Sequence, residues 1–204
     1  AGGVFNSVLV PQIIKASKAA DGGADYISRL LTLGVMVMLV LTAAVTVAAP
    51  WVMQLTTSGY SPQQLALATV FAYWCLPQIF FYGLYALLTQ VLNAHGAFGP
   101  AMWAPIVNNI VAISGLGMFV WIFGANRSNP HSLDNWTGSH TFFIAAVSTI
   151  GVAIQTALLF IPVLKLRLGL APRFGWRGVG LGAAARLGIW TLATTAVGQL
   201  TFLY

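Results

Sequence analysis

The chain has 204 residues, 58% of them hydrophobic and only 6% charged, with nine basic and three acidic side chains giving a net charge of +6. A soluble domain carries about a quarter charged residues, and an unpaired charge in lipid costs about 2.5–3.5 kcal/mol. Between Arg29 and Arg127 there is no Asp, Glu, Lys or Arg, which excludes a water-soluble fold and places this block in a membrane.

A helical crossing needs ~20 apolar residues. Pro, Gly and polar clusters divide the chain into five such spans, 27–49, 65–92, 100–124, 141–164 and 179–204, with residues 1–14 as the trailing part of a further helix. The runs are too long for a transmembrane β-barrel and lack its period-two alternation. The predicted class is an all-α integral membrane helix bundle. The chain starts at Ala1 and stops at Tyr204 within or at the edge of an apolar run, the pattern expected of a fragment of a larger membrane protein.

In residues 1–14, Asn6, Ser7 and Gln12 form a polar side, Pro11 interrupts the hydrogen-bond ladder, and Lys15 and Lys18 end the helix. This side suits an aqueous path or ordinary interhelical hydrogen bonding. The first full span begins near Tyr26, Ile27 and Ser28 and is expected to stop at Pro50–Trp51, with Trp51 in the interfacial belt. Thr56 to Pro62 reads as a tight polar connection, with Pro62 opening the next helix. That helix holds Pro77 mid-span, which removes one backbone hydrogen bond and kinks it, either as a fixed bend or as a hinge. Cys75, the single cysteine, reads as a packing residue.

Asn93 and Gly96 suit a helix end and Pro100 the next start, with His95 as a cap or interface residue. Pro105 follows, then Asn108 and Asn109 inside the span. Two adjacent amides cannot both face lipid cheaply, so at least one bonds to a neighbouring helix or touches substrate. In the last span Arg186 follows Gly178, Gly180, Gly182 and three alanines. It either snorkels to the headgroups or faces a watery cavity and binds an anion. Gln199 faces the same cavity or its helix neighbours.

Alternating spans put loops 15–29, 93–99 and 165–178 on one side, with Lys15, Lys18, Arg29, Lys165, Arg167, Arg173 and Arg177. Loops 50–64 and 125–140 hold Arg127 alone. The positive-inside rule makes the first side cytoplasmic. Basic residues that bracket apolar spans meet anionic lipid rather than nucleic acid.

The three acids, Asp21, Asp25 and Asp134, lie outside every predicted span, which excludes an intramembrane aspartate dyad. His131, Asp134 and His140 match no common zinc spacing. Neither a Walker loop nor a Gly-rich dinucleotide motif occurs. The expectation is no enzyme, no cofactor and no metal.

Two segments carry a family resemblance. Gly2-Gly3-Val4-Phe5-Asn6-Ser7-Val8-Leu9-Val10-Pro11 resembles the second-helix segment of the MurJ/MviN lipid II flippases. Leu92-Asn93-Ala94-His95-Gly96 with Phe98, Ala104-Pro105 and Asn108-Asn109 is similar to the turn between that family's fourth and fifth helices. The resemblance would make the chain helices two (in part) through seven of a fourteen-helix protein. It implies two six-helix lobes facing a central cavity and working by alternating access, as in the wider multidrug and polysaccharide exporter superfamily. Residues 1–164 would then be the remainder of the first lobe, 165–178 a cytoplasmic inter-lobe loop and 179–204 the first helix of the second lobe.

The implied function is flipping of the undecaprenyl-diphosphate-linked peptidoglycan precursor to the outer leaflet of a bacterial inner membrane. Implied partners are that precursor, membrane lipids and other cell-wall synthesis proteins. Asn6, Ser7, Gln12, Arg186 and Gln199 are the candidate cavity residues; Pro77, Pro105, Asn108 and Asn109 are the structural or hinge candidates. The alternatives are a related multidrug or polysaccharide-lipid exporter and a non-transporting membrane scaffold subunit.

Overall fold

The computed structural model describes residues 2–57, 59–124 and 136–175, with side chains from residue 9 onward. The span expected over 179–204, with Arg186 and Gln199, lies outside the described residues, as do Arg127, His131 and Asp134.

Seven helices follow one another: α1 Gly2–Ala16, α2 Ala24–Val47, α3 Ala49–Thr56, α4 Pro62–Cys75, α5 Gln78–Ala94, α6 Gly99–Phe123 and α7 Gly138–Lys165. Among the described residues there is no strand. Four rods are long and apolar enough to cross a membrane: α2, the α4–α5 pair, α6 and α7. Helices of 24 to 28 residues are roughly 36–42 Å long at 1.5 Å per residue, against about 30 Å of hydrocarbon. Among the described residues, four of the five expected full spans thus coincide with helices long and apolar enough to cross.

Local chemistry sets the ends. Ser61 caps α4 in a reciprocal box with Gln64: the Ser61 hydroxyl accepts from the Gln64 N–H, and the Gln64 side chain accepts from the Ser61 N–H. Pro62 follows as the first helical residue. At the start of α7 the Thr137 N–H donates to His140 Nδ1 at 3.1 Å, and the His140 N–H donates back to the Thr137 carbonyl. Pro100 lies in the first turn of α6.

The expected stop at Pro50–Trp51 is corrected. The helix breaks two residues earlier, at Ala48, and resumes as α3 with Pro50 in its first turn. A proline there lacks an N–H that would be unpaired anyway, so it starts a helix rather than ending one. The connection expected over 50–64 shrinks to residues 57–61, since 49–56 are helical.

α7 is the common wall, with α4, α5 and α6 all against it. Its buried residues are Thr141, Ala145, Gly151, Val152, Gln155, Thr156, Leu159 and Val163, which lie along one helix face. Leu159 and Val163 close a core with Leu84, Leu88, Leu92, Ala101 and Ala104. A second core joins α1, α2 and α5 through Leu9, Ile13, Ile27, Leu30 and Val91. Small residues set the spacing: a side chain at Gly115 would overlap Val147, and one at Gly151 would overlap Asn108 Oδ1.

Candidate functional site

After α7 the chain does not leave the bundle. Residues 166–175 turn back without helix and lie along the first turns of α2 as an extended strap. Arg167 makes the reversal, with a left-handed φ of 51° just past the helix end. The Ser28 hydroxyl accepts from the Ala171 N–H at 3.3 Å, and the Thr32 hydroxyl accepts from the Arg173 N–H at 3.1 Å. The spacing explains the fit. Four helical residues rise about 6.0 Å, and two extended residues advance about 6.6 Å. Pro172, between the two donors, has no N–H to place.

Charge closes the same contact. Arg173 Nη1 donates to Asp25 Oδ1 at 2.6 Å. Arg29 Nε lies 2.8 Å from Asp25 Oδ2, an ion pair one helical turn apart whose N–H is poorly aligned for a hydrogen bond. Arg29 Nη1 donates to the Gly175 carbonyl at 3.2 Å. One carboxylate thus serves two guanidinium groups, and the triad carries a net positive charge.

A second polar assembly surrounds the Pro77 break. α4 ends at Cys75 and α5 begins at Gln78, because the proline cannot donate back to the carbonyl four residues earlier. The bend is filled from α7. Thr149 Oγ1 donates to the Trp74 carbonyl at 2.9 Å, sharing its proton with Ala145 O. It accepts from Gln78 Nε2 at 3.0 Å, and Ser148 Oγ accepts from the same amide at 3.2 Å. Two turns on, Thr156 Oγ1 donates to the Phe81 carbonyl at 3.0 Å.

The residues singled out from sequence are not gathered in one place. Gln12 is half-buried, with its Oε1 accepting from the Tyr26 hydroxyl at 2.8 Å. Asn6 and Ser7 lie on α1, and their side chains are outside the described residues. Pro105 sits inside an unbroken α6. Asn108 lies against Gly151 of α7 while Asn109 is exposed. His95 caps its own helix end, with Nδ1 at 2.8 Å from the Val91 carbonyl. The polar groups that sequence reading passed over are Ser28, Thr32, Ser148 and Thr149. The adjacent hydroxyls at 148 and 149 pose the same question inside an apolar span as the Asn pair did, and that signal could have found them.

The family model for the lipid II flippase MurJ matches residues 1–204. The chain belongs to that family. Among curated relatives it is similar to a probable lipid II flippase MurJ of Vibrio cholerae serotype O1 (strain ATCC 39315 / El Tor Inaba N16961), with 24% identity over 213 aligned positions. The alignment takes in 99% of this chain and 38% of the relative, so the chain spans about two-fifths of that protein's length. No solved structure matches it. MurJ membership and four bilayer-length apolar helices make the chain part of a multi-pass protein of a bacterial inner membrane. In this chain the strap is the stretch between α7 and residues 176–204.

Proposed function

We propose that the chain is the first-lobe portion of a transporter that flips undecaprenyl-diphosphate-linked peptidoglycan precursor, lipid II, from the cytoplasmic to the outer leaflet. The family match over residues 1–204 carries this reading. In it, 1–164 complete the first lobe, 165–178 join the lobes on the cytoplasmic side, and 179–204 open the second lobe. The lobes alternate access to a central cavity, with Asn6, Ser7, Gln12, Arg186 and Gln199 facing it. The polar side of α1 supports that placement, because amides and hydroxyls on a membrane helix need water or a partner helix. The Pro77 bend supports a fixed shape rather than a hinge, since α7 hydroxyls bond main-chain carbonyls on both sides of it. The basic ends, Lys15, Lys18, Arg29, Lys165, Arg167 and Arg173, support a cytoplasmic strap. The work is translocation and involves no covalent step.

The direct test is a strain depleted of its own flippase and supplied with the full-length protein. Growth and outer-leaflet lipid II are expected to return. Failure of both, with the protein present in the membrane, would overturn the reading in favour of a related exporter or a scaffold. Cysteines at positions 6, 12 and 186 are expected to react with a small charged thiol reagent in at least one state. Inertness of all three in every state would remove the cavity.

A further inference from the structure

A recess of about 460 Å³ lies between α2, α7 and the strap. Its floor is dry: Ser28, Leu88 and Val163 are 1–2% exposed. Its rim is open: Met36, Phe160, Leu164 and Phe174 are 38–72% exposed. The volume falls within the ~300–1,000 Å³ of small-ligand sites. The two hydroxyls in its lining, Ser28 and Thr32, already accept from strap N–H groups, so neither has to be paired by whatever enters. The remaining lining side chains are apolar. Such a surface receives hydrocarbon rather than a sugar or a peptide backbone.

The strap end of the recess carries a net positive charge. Arg29 and Arg173 share the Asp25 carboxylate, leaving one positive charge in excess. Arg173 is half exposed. Lys165 and Arg167 follow the rim residue Leu164 directly and are exposed. α7 ends at Lys165, so these cations sit where a bilayer-crossing helix meets its surface, at the depth of lipid phosphates.

We propose that this recess holds one acyl chain of an anionic membrane phospholipid, with the headgroup phosphate against Arg173 and Arg29. The recess selects the chain and the cations select the head. A zwitterionic lipid brings the same phosphate but offsets it with its own cation, so the arginines favour the anionic head. The inference stands on the recess and its charges and does not depend on which cargo the protein moves.

The test uses the full-length protein in phosphatidylcholine vesicles doped with either phosphatidylglycerol or phosphatidylcholine carrying a photoreactive diazirine on its acyl chain. After irradiation, crosslinks are mapped by mass spectrometry. The phosphatidylglycerol probe is expected to label Met36, Phe160 and Leu164 about fivefold more than the phosphatidylcholine probe, the preference given by one cation near a bilayer surface. Both probes should label the exposed Ile110 and Ile113 of α6 equally, as ordinary boundary lipid. Arg173→Gln is expected to lower recess labelling by phosphatidylglycerol to the phosphatidylcholine level and to leave α6 unchanged. Val35→Trp, which fills the recess, should remove labelling there by both probes; Met36→Trp at the rim gives the same reading should the first variant fold poorly. Equal labelling of the recess by the two lipids would overturn the proposal. So would an unchanged ratio in Arg173→Gln, or no labelling at all because another protein segment covers the site.

Discussion

Gly23 stands at the N-cap of α2 with a left-handed φ of 84°, a position where it offers no side chain to the free N–H groups of the first turn. Asp21 supplies the missing acceptor from two residues upstream: Oδ2 takes the Asp25 N–H at 2.9 Å and Oδ1 the Gly23 N–H at 3.0 Å. Those backbone bonds, the one from Asp25 foremost, hold the Asp21 carboxyl below its ordinary value of 3.8. A depressed folded value means that its stabilisation is complete above the unfolded value and disappears as pH falls through the lower folded one. Protection of the Gly23 and Asp25 amides from hydrogen exchange is therefore expected to be complete above about pH 4 and to be lost progressively as pH falls from there through the lower folded value, beyond the intrinsic pH effect. Asp21→Asn should abolish that dependence. At the helix contacts, Gly151→Ala is expected to cost about 1–3 kcal/mol by overpacking, because the new carbon meets Asn108. Gly117→Ala, which meets nothing, should be neutral or stabilising by up to about 1 kcal/mol. Denaturation in mixed micelles distinguishes the two. Sequence indicated that Asn108 or Asn109 must turn to a helix, but not which one. That choice rests on a glycine in a different span, which no local pattern reveals.

Among the helices, the prolines show where local reading works and where it fails. Pro62 and Pro100 were legible as helix starts, because Ser61 precedes one and a Gly-rich turn the other. Pro50 reads from sequence as a stop, since a proline that ends one rod and a proline that begins the next look alike within an apolar run. Only the break at Ala48 separates them. Pro77 was legible as a kink, but its support was not. The hydroxyls that pair the bend belong to α7, seventy residues away in the chain. Thr149→Val removes a donor to Trp74 O and an acceptor from Gln78 at once. The expected loss is about 0.6–1.7 kcal/mol, the range for hydrogen bonds between membrane helices. Spin labels on α4 and α5 should then report a broader distance distribution across the bend than in the unaltered protein. An unchanged distribution would mean that packing alone fixes the angle.

At the scale of the whole chain, composition alone was enough for the membrane and the all-helical class, because lipid leaves so few backbone solutions, but not for the separate α3 or the division of α4 from α5. The doubling back of residues 166–175 was not legible: Ser28 and Thr32 look like any small polar pair until a donor strand is laid beside them. Sidedness is open to a simple check. With Cys75 replaced by Ala, a cysteine at Lys18 is expected to react with an impermeant thiol reagent only after the cell is opened, and one at Ser61 before. The strap has one further consequence, which concerns length rather than composition. Two of its anchors are main-chain N–H groups seated one helical turn apart on α2, so the segment is gauged like a ruler and its side chains at 171 and 172 are largely interchangeable. Ala171→Ser and Pro172→Ala should leave the Asp25–Arg173 pair in place. A single glycine inserted after Pro172 shifts every later group by about 3.3 Å and should free Arg173, seen as faster hydrogen exchange at residues 173–175. Family members are thus expected to vary in the letters of this segment and to keep its count.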